Sequence, residues 1–394
     1  MSEICPAGKC TGCGACSNVC PKQCIVFKQD KEGFFFPEID TALCVECNLC
    51  RKVCPANSTP EYHTAQETVY AAWALDDEIR QSSSSGGLYS VFANYCFSCG
   101  GVANGVHLSK DNFFVHGLFD TPEAIKPCRG SKYVQSQPGN IYKEVKQALG
   151  NGKMVLFTGT PCQVNALYKF LGRDYENLYT CDFVCHGVPS PQYFKSCLNR
   201  ITGGSNDVEN VTFRNLAGWG KFAIKATDKE KCFDESIIKY SYIKTFLNGA
   251  NYRYACYSCA FARGERVSDI TLGDFWGLGK YKPFLRDASK GASLMIVNTD
   301  KGQRLLDQVK DRLFLAPRTF REASRENHQL RQCVKMPENR SEFYNDVQNL
   351  SDAELLKKYA PGQPLWKKLL RLPLRIAAKL FRISVKICYS LIRE

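Results

Sequence analysis

A cysteine pattern that occurs twice constrains this chain more than any other feature. Cys10-x-x-Cys13-x-x-Cys16-x-x-x-Cys20-Pro21 returns as Cys44-x-x-Cys47-x-x-Cys50-x-x-x-Cys54-Pro55, with all five positions displaced by 34 residues. Of 22 cysteines in 394 residues, ten lie within the first 54 positions. Cysteine-rich disulfide frameworks are usual in short exported chains. Met1 to Lys9 contain neither an apolar run nor a basic lead-in, so no export signal is read there. The thiols are therefore expected to be reduced, cytoplasmic and available to metal.

The duplicated run resembles the two-cluster bacterial ferredoxins, in which three thiolates at i, i+3 and i+6 wrap one iron-sulfur cube and the fourth reaches the other cube. That grouping puts Cys10, Cys13 and Cys16 with Cys54, and Cys44, Cys47 and Cys50 with Cys20. Gly12 and Gly14 suit the tight turn. Zinc sites are normally built from two CxxC-type pairs rather than from this run twice over, so two 4Fe-4S clusters are expected in residues 1–60. Clusters of this kind relay single electrons and offer substrate no open coordination site. Cys5 and Cys24 are surplus to the count and read as small packing residues.

Beyond a polar stretch at 57–68, Val69 to Leu75 reads as a strand opening the main domain. Ser82 to Gly87 precedes a periodic apolar stretch, Leu88, Val91, Phe92 and Tyr95. Its small residues suit a phosphate at a helix N-terminus, although a serine run also suits a flexible loop. Pro127 to Val134 supplies a basic loop. Lys153 to Cys162 reads as a buried parallel-type strand entering a tight turn, with a helix over Gln163 to Leu171. Thr158, Gly159 and Thr160 thus sit just past a strand's carboxyl end, where α/β folds hold ligands. No GxGxxG fingerprint is present, so a standard dinucleotide site is not expected, while unusual flavin or nucleotide sites stay open.

Taken in order, Ser85-Gly86-Gly87, Gly130-Ser131-Lys132-Tyr133-Val134, Thr158-Gly159-Thr160-Pro161-Cys162-Gln163, Cys185-His186-Gly187, Cys256-x-x-Cys259 and Gly273-Asp274-Phe275-Trp276-Gly277 resemble the coenzyme F(420) hydrogenase/dehydrogenase beta-subunit family over roughly residues 68–330. The resemblance implies an α/β (mixed α+β) flavoprotein-type main domain behind the ferredoxin module. It further implies FAD, with phosphates at Ser85 to Gly87 and Lys132 beside Tyr133, and Thr158 to Thr160 near the ring or ribityl chain. In that family Cys162, Cys185, Cys256 and Cys259 correspond to the ligands of a third 4Fe-4S cluster. Cys181 is an alternative ligand if its segment is helical. His186 is a candidate proton donor because imidazole changes charge near neutral pH, with a structural role the alternative. Asp274 and Trp276 are candidate flavin or ligand contacts, or ordinary turn packing.

The domain reading is 1–60 ferredoxin-like, 68–200 and 201–335 the two parts of the beta-subunit region, and 336–394 a helical tail. Residues 363–394 hold +7 of the formal +13 charge. Basic and apolar residues there alternate at helical spacing over 365–393, which fits an amphipathic helix on an anionic membrane surface, or one docked on protein. A nucleic-acid partner is not expected, because the basic residues are terminal rather than spread over a folded face with stacking aromatics. The function expected is an iron-sulfur flavoprotein oxidoreductase, passing electrons between ferredoxin-type clusters and a flavin-bound organic substrate or hydride carrier. A ferredoxin or other redox protein is the expected partner. The alternatives are an electron-transfer adaptor without its own substrate site and a redox sensor.

Overall fold

The structure, a computed structural model, describes residues 3–63, 68–205, 207–214, 219–228, 231–236 and 241–361. The amphipathic segment 365–393 lies outside these residues. Among the described residues no helix is long and apolar enough to cross a membrane, and all 21 cysteines are free thiols.

Strands run in chain order as β1 Ile25–Gln29, β2 Phe35–Ile39, β3 Val69–Ala74, β4 Val102–Leu108, β5 Phe114–Phe119, β6 Val155–Gly159, β7 Leu178–Phe183, β8 Asn210–Arg214, β9 Phe222–Thr227, β10 Cys232–Ser236, β11 Ile270–Asp274, β12 Ser293–Val297 and β13 Leu313–Arg318. Eight of them make one mixed sheet, ordered β13-β3-β12-β11-β7-β6-β4-β5. Strands β4, β6, β7 and β11 are mutually parallel, while β12 pairs antiparallel with both β11 and β3. The carboxyl ends of β3, β4, β6, β7 and β11 therefore share one edge, where loops rather than ladder bonds meet a ligand.

The centre of the sheet is buried on both faces, and its strands read accordingly. Val155, Leu156 and Phe157 are at most 1% exposed, a continuous apolar run without alternation. The helix after β6, Pro161–Leu171, starts two residues earlier than its periodicity suggested. Thr160 and Gln163 close a reciprocal capping box, Pro161 takes the first turn, and Gly172 ends the helix at φ +68°, each where backbone sterics favour it. The periodic stretch after the serines is the helix Leu88–Ser98, entered through Gly87 at φ +82°.

A second layer is the antiparallel sheet β10-β9-β8. One apolar cluster joins it to everything around it: Phe34 from the N-terminal hairpin, Phe114, Phe194, Phe213, Tyr242, and Phe343 from beyond residue 336. Up to Pro361 the expected tail is thus packed into the body. Arg340 is 1% exposed and donates through both terminal nitrogens to Glu32, at 3.2 and 2.8 Å, tying the tip of the β1–β2 hairpin to the main domain.

Candidate functional site

The two cysteine runs build two cavities. The outer one, about 200 Å³, is lined by Cys20, Cys44, Cys47 and Cys50, together with Cys24. The inner one is lined by Cys10, Cys13, Cys16 and Cys54, together with Cys5. These are the two sets that spacing had grouped, with the fourth thiol of each crossing from the other repeat. In each case the thiols ring a space. A zinc ion with bonds of about 2.3 Å draws four sulfurs to a point, whereas a multi-iron cube needs room between them, so the donor set and the cavity fit 4Fe-4S at the outer site, and at the inner one, a cavity of about 20 Å³, the same donor set does. Gly12 and Gly14 hold φ +69° and +79°, as the loop requires.

Cys5 and Cys24, outside the 34-residue repeat, lie buried in one cluster with these cysteines, and Cys24 Sγ is 3.4 Å from Cys20 Sγ.

The inner site is pressed against the main domain. Tyr142 Oη donates to Cys13 O at 2.7 Å, Asn18 Nδ2 donates to Gly139 O at 2.7 Å, and Gln135 Nε2 donates to Thr11 O at 3.2 Å. Beside it, four cysteines from distant segments converge. Cys162 is the second residue of helix Pro161–Leu171, Cys185 follows β7, and Cys256 lies within the short turn Tyr254–Ser258 that Cys259 ends. Burial first, then the charges of Cys259 and Cys185, push the Cys162 thiol well above its ordinary value. Cys185 is raised by burial and by Cys256 and Cys259, and burial pushes Cys256 up to about 12. The four thiols are half-buried and lie within electrostatic reach of one another, and Cys162 also feels Cys13 across the interface. Thiols held this way suit a thiophilic metal, which binds the anionic form that burial otherwise disfavours. Cys181 lies in strand β7 and is 1% exposed within a different apolar cluster, so the helical condition for its use as a ligand is not met.

The remaining predicted residues collect at the carboxyl edge of the sheet. Asp274, ending β11, accepts from Arg214 Nη2 at 2.5 Å and from Trp219 Nε1 at 2.8 Å. Arg214 Nε donates to Tyr133 Oη at 2.8 Å. The Trp219 and Trp276 rings stack at 5.4 Å. His186 lies within electrostatic range of Asp274 and Arg214, and burial pushes it down to about 4. It is therefore neutral at pH 7 rather than poised as an acid. Gly86 N donates to Ser293 Oγ at 2.9 Å, and a Cβ on Gly86 would meet Ala72 O at 2.3 Å. Among the described residues Ser85 Oγ and Arg214 Nη1 are buried without partners. Unmet buried donors call for an acceptor, so this edge fits an anionic or acceptor-rich ligand.

Two expected contacts take other roles here. Lys132 Nζ donates to the carbonyls of Pro127, Cys128, Arg129 and Gly130, at 2.7 to 3.2 Å, so the ammonium closes its own loop. Thr158 Oγ1 donates to Asn104 O, at 3.0 Å. Thr160, beyond Gly159, bonds Gln163 and stands 3.0 Å from Cys162 Sγ. Gln163 in turn meets His116, which meets Asn104. The Thr158–Thr160 bend thus belongs to a polar chain ending at Cys162.

Residues 9–58 match the 4Fe-4S dicluster domain. Residues 69–140 match the N-terminal part, and 152–322 the C-terminal part, of the coenzyme F420 hydrogenase/dehydrogenase beta subunit. The chain belongs to this beta-subunit family. It is similar to a coenzyme F420-dependent sulfite reductase of Methanocaldococcus jannaschii, 22% identical over 321 residues, covering 79% of this chain and 47% of that protein. An uncharacterized protein of the same organism is 26% identical over 204 residues, covering 44% of this chain and 55% of its own length. A ferredoxin-like protein in the nif region of Rhizobium leguminosarum bv. trifolii is 37% identical over 59 residues, 14% of this chain and 84% of that protein. Among solved structures, the F420-reducing NiFe hydrogenase complex from Methanosarcina barkeri covers 69% of this chain and 91% of the matched chain, at 16% identity and a TM-score of 0.46. The chain spans about half the length of the first two relatives. The chain thus joins a 4Fe-4S dicluster domain, at its front, to the two parts of this beta-subunit family.

Within the family's C-terminal region, sequence reasoning missed Arg214, which gathers Asp274, Tyr133 and the tryptophans, because a lone arginine in a strand carries no signal. It also missed Asn104, His116 and Gln163, although Gln163 stands inside the quoted Thr158–Gln163 motif.

Proposed function

We propose that this chain exchanges electrons between a partner redox protein and an organic substrate or hydride carrier held at the carboxyl edge of the large sheet. The observation that carries the reading is the order of the three cysteine sets. Cys47 is exposed at the outer cavity, the inner set is only 6% to 8% exposed, and Cys162, in the helix that follows β6 at the sheet edge, lies within electrostatic reach of Cys13 of the inner set. Cys20, Cys44, Cys47 and Cys50 would hold the outer 4Fe-4S cluster, Cys10, Cys13, Cys16 and Cys54 the inner one, and Cys162, Cys185, Cys256 and Cys259 a third. When bound, the clusters supply one-electron transfer and FAD supplies conversion between single electrons and hydride.

The chain's own residues prepare each end. Leu43, Val45 and Leu49 are exposed around the outer cavity, an apolar collar for a docking protein. At the far end Ser85 and Arg214 offer unmet donors to the flavin or its ligand. Asp274 holds Arg214 in place, and neutral His186 can donate or accept one hydrogen bond.

Anaerobic purification with iron counting and flavin extraction tests this reading. The expected result is about twelve irons per chain and bound FAD, reducible through an external ferredoxin. A chain with iron but no flavin would instead be an electron-transfer adaptor, a reading favoured by the Lys132 ammonium being turned onto its own loop.

A further inference from the structure

We propose that Arg253 is the counter-charge of the inner cluster and holds its reduction potential above that of the outer one. The inference rests on the reading that Cys10, Cys13, Cys16 and Cys54 hold a 4Fe-4S cube.

Arg253 is 1% exposed, among the largest fully buried side chains of the molecule. Its Nη2 lies 3.4 Å from Cys10 Sγ, and its Nε donates to Cys10 O at 2.6 Å. Nη1 donates to Phe35 O and Gln135 Oε1, at 3.1 and 3.2 Å, and the guanidinium lies 3.8 Å from the centroid of the Phe36 ring. Every one of these partners except the sulfur is formally neutral. Three of the other buried guanidiniums are treated differently, Arg214 facing Asp274, Arg266 facing Asp182 and Arg340 facing Glu32, while Arg80 is held by the carbonyls of Gly291 and Asp287, far from any cysteine set. Among the described residues Arg253 has no carboxylate partner.

Burying an unpaired charge costs several kcal/mol, so the protein alone leaves this site out of balance. A cube ligated by four thiolates is net negative in both redox states, and more so when reduced. A fixed positive charge against one of its sulfurs therefore balances the site and favours the reduced form. Among the described residues no buried cation lines the outer cavity. Its two lining cations, Lys22 and Arg51, are exposed, where water and salt screen them, and Arg51 directs Nε to Glu3 O.

Position adds a second consequence. Arg253 precedes Cys256 by three residues, and Cys256 N donates to Arg253 O at 2.9 Å. One residue thus grips the inner set through its side chain and carries the third set on its backbone, fixing their separation.

Potentiometric titration followed by electron paramagnetic resonance tests the proposal, the outer signal being the one lost in C47S, the third the one lost in C185S, and the inner the one that survives both. In R253M the inner cluster becomes at least tenfold harder to reduce, a fall of about 59 mV for a one-electron couple, and the outer cluster does not move. R253K recovers most of the shift. Q135E sets a near-isosteric carboxylate beside Nη1 and lowers the same potential with Arg253 in place, which answers the case in which R253M does not fold. Unchanged potentials in iron-replete R253M, equal movement of both clusters, or an unmoved inner potential in Q135E would each overturn the assignment. Wild-type protein without iron removes the cluster reading itself, and metal analysis tells that outcome apart.

Discussion

The two cysteine runs have one spacing and two environments. Position by position, Gly12 corresponds to Glu46 and Gly14 to Asn48, and all four adopt left-handed backbone, at φ +69°, +52°, +79° and +59°. The loop imposes this conformation whatever the residue, at a cost of about 1–3 kcal/mol for a residue with a Cβ. What separates the repeats is their surroundings. A Cβ on Gly12 would meet Gln135 Nε2 at 2.1 Å, and one on Gly14 would meet Pro138 at 3.1 Å. Glu46 and Asn48 face solvent and have room. Glycine in the first run thus records contact with the main domain, and side chains in the second record its absence. A duplicated motif has been made into an inner and an outer site by docking alone.

The largest effect expected from breaking that docking comes at the hairpin between the two cavities. Glu32→Gln leaves Arg340 buried without its carboxylate, which should cost about 3–5 kcal/mol in chemical denaturation. A loss below about 1 kcal/mol would show that this pair does not hold the module. Next in size, G12A should cost about 1–3 kcal/mol from the backbone plus the clash with Gln135. E46G at the corresponding outer position should change stability by no more than about 1 kcal/mol. Equal costs at both positions would dissolve the distinction between the sites.

Iron removal sharpens the same contrast. With a chelator in excess, absorbance from the outer cluster should decay about tenfold faster than from the inner one, because only the inner one needs the module to open from the main domain. A single rate for all iron would contradict this.

The smallest effect isolates the main domain. Burial holds His116 at about 3, against an ordinary value of 6.5, so between those values the unfolded chain binds more protons than the folded one. Stability contributed by neutral His116 is full above pH 6.5 and lost as pH falls through that window. The stability gap between wild type and H116Q should therefore shrink by about 1–2 kcal/mol from pH 7 to pH 5. A gap that widened would reverse the sign.

Legibility followed the range of the interactions involved. The ligand groups of the two N-terminal sites could be read from spacing, because thiols three residues apart in a tight loop must face one another. Strand β6 and the following helix could be read from an apolar run and a Thr-Pro start. The four thiols Cys162, Cys185, Cys256 and Cys259 could be named only through resemblance, since no local rule joins three segments far apart in the chain. Lys132 came as a phosphate contact only through the resemblance, and the four carbonyls its ammonium meets all lie within five residues of it.

By itself the amino-acid order determined the chemistry: which residues carry sulfur, their grouping into sets, and the strand and helix periods that support them. Only the tertiary structure decided which repeat is buried, that Arg253 reaches Cys10 across 243 residues of chain, and that Arg214 meets Asp274. The physical reason is that spacing controls contacts within a turn or two, whereas a buried charge or a missing Cβ takes its meaning from whatever the fold packs against it.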